Sequence, residues 1–162
     1  MRVPGVEELS AGPPEQVAAE NARRKAAATA PRSSSEWILG VDTVVALDGR
    51  IYGKPADEAA ARRTLEALSG RRHAVISGLC LISAGGQQTV VARTMVEFRS
   101  LSGAIVDWYL KSGEWLGRAG GYAIQGRGAA LVARIEGDYL NVVGLPVASL
   151  LALAPELLDR SR

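Results

Sequence analysis

A chain of 162 residues, 48% of them hydrophobic, can bury a core of its own as one domain. Nineteen Lys and Arg against 17 Asp and Glu leave a formal charge of +2. The basic residues sit in short clusters (Arg23, Arg24, Lys25; Arg62, Arg63; Arg71, Arg72), which argues against a nucleic-acid-binding stripe. The lone cysteine, Cys80, excludes an intrachain disulfide; it suits a reducing cytoplasmic setting, with its thiol buried in ISGLCLI. The N-terminus lacks the apolar core of a signal peptide, and no run has the length of a membrane span.

In chain order, Pro14 followed by EQVAAENARRKAAAT predicts a helix, with proline in its first turn, two glutamates near its start and PRSSSE at 31–36 closing it. WILGVDTVVAL reads as a strand apolar on both faces, as in a central position. Asp48 and Gly49 turn it back. DEAAARRTLEALSG forms an amphipathic helix from about Asp57 to Leu68, with Ala61, Leu65 and Leu68 on one face and Gly70 as its stop. HAVISGLCLIS and TVVARTMVEF make a long hairpin around AGGQQ. LSGAIVDWYLKSG is a helix, EWLGRAGGYAIQGRG a glycine-dense loop, AALVARIEG a strand, and LPVASLLALAPELL a helix that Pro155 ends or kinks. Strands and helices interleave, yet several strands are hairpin-linked, so the expected fold is α/β with a mixed sheet and helices packed on it.

Asp42 interrupts the buried strand, and an ionised carboxylate there needs a cation, hydrogen bonds or a metal. A three-residue loop of Leu47, Asp48 and Gly49, with Gly49 left-handed, sets Asp42 opposite Lys54, and this pairing is the expectation. A two-residue loop would set Lys54 opposite Thr43 instead. The Asp42–Lys54 pair reads equally as a structural bridge. Lys25, eight residues after Val17, lies at the edge of the apolar helix face, either snorkelling or seeking an anion. Gln125, between glycines in GGYAIQG, can offer donor and acceptor to a base edge. Glu7 and Glu8 form an acidic turn that is simply solvated or, with Asp42, supplies the carboxylates from which Mg²⁺ is hung. His73, the single histidine, is a candidate general base or a structural residue.

GVDTVVALDGRIYGKPADEAAARRTLEALSGRRHAVISG, GGYAIQG and RIEGDYLNVVGLP together resemble the Maf-like nucleotide pyrophosphatases, in order and over nearly the whole chain from Val3. The resemblance implies a mixed, bent sheet with a cleft between two lobes, related to the inosine triphosphate pyrophosphatases. It also implies hydrolysis of nucleoside triphosphates to monophosphate and pyrophosphate with a divalent metal, Mg or Mn, and by analogy a homodimer. Asp42 matches the family's proton acceptor, Lys54 and Lys25 its phosphate-binding lysines, and Glu8 its acidic residue, which with Asp42 would hold the metal. Thr43 and Gln125 resemble the branch acting on dTTP and UTP. Because Asp42 and Thr43 alternate across a regular strand, both serve one site only if the strand bends or ends at the cleft.

One family motif has no counterpart. Members begin with a strand and an S-x-S-P-R-R loop whose serines and arginines hold phosphates, whereas PRSSS at 31–35 differs in place and order. The expectation is an N-terminally truncated domain, through an internal start codon or a true truncation. The alternative to an active pyrophosphatase is then a catalytically impaired nucleotide-binding protein with a regulatory role in septum formation. Val41 and Arg118 are smaller departures, at positions where alanine and lysine are common.

Overall fold

The computed structural model describes residues 5–29 and 36–158. Pro14 opens helix α1 (Pro14–Ala27) where its missing N–H costs nothing, with Glu15 in the first turn and Arg24 and Lys25 in the last to complement the dipole. The helix ends at Ala27; residues 31–35, expected to close it, lie outside the described residues.

Strands β1 (Ile38–Leu47) and β2 (Arg50–Tyr52) pair with Leu47 facing Arg50 and Val45 facing Tyr52. Only Asp48 and Gly49 remain in the loop, both at positive φ (51° and 77°). This is the type I′ turn favoured by Asp-Gly, whose twist matches that of the strands it joins. The three-residue loop is therefore corrected to a two-residue one, and with it the pairing of Asp42 with Lys54. The ladder itself stops at Tyr52, before Lys54.

Strands β3 (Arg72–Ser83), β4 (Gly86–Phe98) and β5 (Val132–Glu136) complete a sheet of order β2-β1-β3-β4-β5. The α/β architecture is as expected, but every ladder among the described residues is antiparallel rather than mixed. Helix α2 (Glu58–Leu68) does cross between two strands of like direction, β2 and β3, yet β1 lies between them, so the crossover makes no parallel ladder. Asp57 caps α2 by accepting the Ala60 N–H at 2.7 Å. Helix α3 (Gly103–Leu110) is capped by Ser102. β5 begins at Val132 because Gly126–Leu131 form a 3₁₀ segment. Helix α4 (Tyr139–Val143), capped by Asp138, is too short for its periodicity to show in the sequence. Helix α5 (Val147–Leu153) ends before Pro155, as expected.

The two sheet faces are built differently. Leu65, Leu68, Val106 and Tyr109 from α2 and α3 pack with Val75, Val96 and Phe98 into the largest apolar cluster. On the opposite face α1 lies directly on the sheet through Ala18, Ala22 and Ala26. A Cβ on Gly78 would fall 2.1 Å from the Ala18 carbonyl oxygen, and one on Gly40 would fall 2.1 Å from that of Ala22. Helix and sheet thus touch backbone to backbone. Cys80 is buried beside Ala22 and Ala26 on this face.

His73 is a core residue. Its Nε2 lies 2.9 Å from the Tyr122 hydroxyl, and its ring packs edge-on against Phe98 and Tyr122. Burial pushes its pKa down from 6.5 to about 4. Between those values the unfolded chain binds a proton that the native state refuses, so stability rises with pH across this window. The contribution is whole above pH 6.5 and is lost as the pH falls to about 4, a loss on the order of 3 kcal/mol. Denaturant titrations of the wild type and His73→Gln between pH 7 and 4 should show a shallower acid loss in the variant; equal slopes would refute the assignment.

Candidate active site

Because β2 pairs only with residues 45–47, the β1 edge over residues 38–44 has no strand partner on that side among the described residues. Gly53 and Lys54 leave the sheet there, and Gly53 is pinned by the Gly120 N–H donating to its carbonyl at 3.1 Å. A cavity of about 420 Å³ lies under the 117–126 loop, and one of about 300 Å³ lies toward α1. Asp42, Thr43, Lys54 and Ala119 line both. Asp42 and Thr43 do point to opposite faces, but β1 need not bend or end for both to be reached. It is β2 that ends, and the bared edge of β1 is open from either side.

Asp42 is 6% exposed. Its Oδ1 takes the Lys25 ammonium at 2.5 Å, and its Oδ2 accepts from the Asn21 amide at 3.0 Å. The cation for this carboxylate is thus Lys25, one helix face away, rather than Lys54 on the hairpin. Lys25 also meets Glu8 at 2.8 Å, and Glu8 in turn lies 3.9 Å from Lys54. Burial works against the Lys25 charge, but hydrogen bonds to Asp42 and Glu8 outweigh it and raise its pKa. The Lys25 hydrogen bond, with the Lys25 and Lys54 charges, holds the Glu8 carboxyl below its ordinary range against the opposing effect of burial. Lys25 is not a snorkelling lysine: its head turns inward onto two carboxylates. Glu7 is exposed, and its carbonyl accepts from Arg24 at 3.0 Å, tying the acidic turn to α1.

The same convergence tests the donor set for a metal. Glu8 and Asp42 each bring an oxygen to one nitrogen, so they can share a small cation, and hard carboxylate oxygens suit Mg²⁺ or Mn²⁺. No group of three or more metal-ligating side chains occurs among the described residues. Water and substrate oxygens would have to complete the shell.

Across the larger cavity Gln125 is exposed on the rim. Its turn is organised by Glu114, whose carboxylate accepts the N–H groups of Arg127 and Gly128, each at 3.1 Å. Thr43 Oγ1 lies 2.7 Å from Ser77 Oγ on β3. The two lysines, two carboxylates, Thr43 and Gln125 expected from the sequence are all gathered at these two cavities, whereas Glu7 and His73 are not among their lining residues. Asn21, Ser77 and Glu114 were not anticipated. Asn21 alone left a signal, as a polar residue four positions from both Val17 and Lys25 on the buried face of α1.

Among protein families, the one described as Maf-like protein matches residues 1–157. The chain belongs to the Maf-like family. This Maf-like chain is 44% identical over 140 residues to a dTTP/UTP pyrophosphatase of Pyrococcus furiosus, spanning 86% of the chain and 74% of that relative. It is 47% identical over 140 residues to one of Deinococcus radiodurans, spanning 86% and 72%. To one of Sphingopyxis alaskensis it is 50% identical over 133 residues, spanning 82% and 70%. Among the described residues, no helix of this Maf-like chain is long and apolar enough to cross a membrane.

Proposed function

We propose that this Maf-like chain hydrolyses dTTP and UTP to the nucleoside monophosphate and pyrophosphate, in the cytoplasm where its lone thiol stays reduced. The observation that carries the reading is the buried Asp42 carboxylate at an open strand edge, ringed by Lys25, Glu8 and Lys54 within two adjoining cavities. The relatives named dTTP/UTP pyrophosphatase support the substrate class.

Asp42 is the general base. Each of its oxygens keeps a lone pair beyond those used by Lys25 and Asn21, so it can orient a water and take its proton. The water oxygen bonds to the α-phosphorus, and the α–β bridging oxygen leaves with pyrophosphate. Lys54, its side chain 57% exposed, swings onto the polyphosphate as a point charge, and Lys25 adds a second. A divalent cation held by Glu8 and Asp42 would supply charge neutralisation at the phosphates. Thr43 and the Gln125 amide, at the larger cavity, meet the base, where a donor and an acceptor suit the pyrimidine edge.

Pyrophosphate release from dTTP, UTP, dCTP and GTP with Mg²⁺ or Mn²⁺ tests the reading. The expected result is turnover of dTTP and UTP at least tenfold above the other two. Tight nucleotide binding without turnover would instead support the regulatory, catalytically impaired reading.

A further inference from the structure

We propose that Asn21 is a positioning residue that locks the Asp42 carboxylate and the segment bearing Glu8 into one unit, an inference that rests on the catalytic reading of Asp42. Asn21 is 1% exposed, and its carboxamide is fully engaged. The Oδ1 accepts the Leu9 N–H at 2.7 Å, while the Nδ2 donates to the Leu9 carbonyl at 3.0 Å and to Asp42 Oδ2 at 3.0 Å.

The orientation of the amide follows from its partners. A backbone N–H can only donate, so the atom facing it must be the amide oxygen, which leaves both amide hydrogens for the Leu9 carbonyl and Asp42. Flipping the group would set N–H against N–H and an oxygen against a carboxylate. Asn21 therefore treats Leu9 as a neighbouring strand would, satisfying its N–H and C=O together, and uses its remaining hydrogen to hold one chosen oxygen of Asp42. The other oxygen is left to Lys25.

Glu8 directly precedes Leu9, so the same side chain decides where Glu8 meets Lys25 and Lys54. A neutral donor suits this post. A second cation would compete with the lysines for the carboxylates, whereas aspartate, equal in shape, offers only acceptors to the Leu9 carbonyl and Asp42. Displacing a base by about an ångström costs on the order of 100-fold in rate without weakening substrate binding to match.

The test compares Asn21→Leu and Asn21→Asp with the wild type by steady-state dTTP hydrolysis, thermal melting and amide hydrogen exchange. Expected are a fall in kcat of about 100-fold at a KM within about threefold, larger for Asn21→Asp, and loss of Leu9 amide protection in Asn21→Leu, the variant that removes the acceptor of the Leu9 N–H. If Asn21→Asp fails to fold, the uncharged Asn21→Leu carries the comparison. Unchanged Leu9 exchange in Asn21→Leu, or a kcat that falls only as the folded fraction falls, would overturn the proposal. The exchange readout needs no nucleotide. A wild type inert toward dTTP and UTP would therefore remove the proposed activity while Leu9 exchange still decided whether Asn21 is the clamp.

Discussion

Asp42→Asn should lower pyrophosphate release from dTTP and UTP by about 10³-fold while leaving a folded, nucleotide-binding protein. The substitution keeps shape and removes the basic lone pairs, and general-base contributions of this kind are worth about 10²–10⁴. It also disturbs the ground state in a foreseeable way. If the new amide oxygen faces Lys25, its NH₂ faces the Asn21 NH₂, and one buried donor loses its acceptor, at about 1–3 kcal/mol. Melting must therefore be recorded beside the kinetics, with rates corrected for the folded fraction. Corrected turnover within tenfold of the wild type would remove Asp42 from the chemistry.

The second large effect is expected at Gly78, which faces Asp42 across the β1–β3 ladder. Gly78→Ala sets a Cβ 2.1 Å from the Ala18 carbonyl oxygen, a backbone atom that no rotamer change can move aside. Overpacked positions cost about 1–3 kcal/mol and occasionally more, and contact between two backbones belongs at the upper end. For a chain of this size that lowers Tm by about 6–12 °C. Relief requires α1 to lift from the sheet, carrying Asn21 and Lys25 away from Asp42, so activity should fall further than stability alone accounts for. Gly103→Ala, whose Cβ would meet nothing within 4 Å, is the matched control. A Gly78→Ala protein as stable and active as that control would show that this contact does not set the spacing of helix and sheet.

Much of the fold was legible because its signals are local. The β-rich runs of β3 and β4 on either side of AGGQQ, the apolar stripe of α2 and the proline at the start of α1 each dictate their element with little help from tertiary contacts. The residues gathered at the candidate site were legible as well, Asp42 by its misplaced charge and Lys25 by its position at the edge of an apolar helix face. Their pairing was not. Asp-Gly is compatible with a two-residue loop and with a three-residue one, and a single residue of slip exchanges Asp42 for Thr43 opposite Lys54. Nor could β1 reveal that its neighbour would stop after three residues, which is what bares the edge where the cavities form. Asn21 showed its place on α1 but not its partners, for a different reason: they include the backbone of Leu9, and a backbone group carries no mark in the sequence.

The charges around the two cavities have one more consequence. Among the described residues, Lys25, Lys54 and Arg118 face Glu8, Asp42 and Glu114, so these lining charges sum to neutrality and project little field beyond a Debye length. A polyanion approaching from solvent is not drawn in from afar; it meets attraction only once it is close enough for cations to exchange their internal partners for its phosphates. The rate of nucleotide association should then vary little with ionic strength, and discrimination among ligands falls to contacts made after arrival.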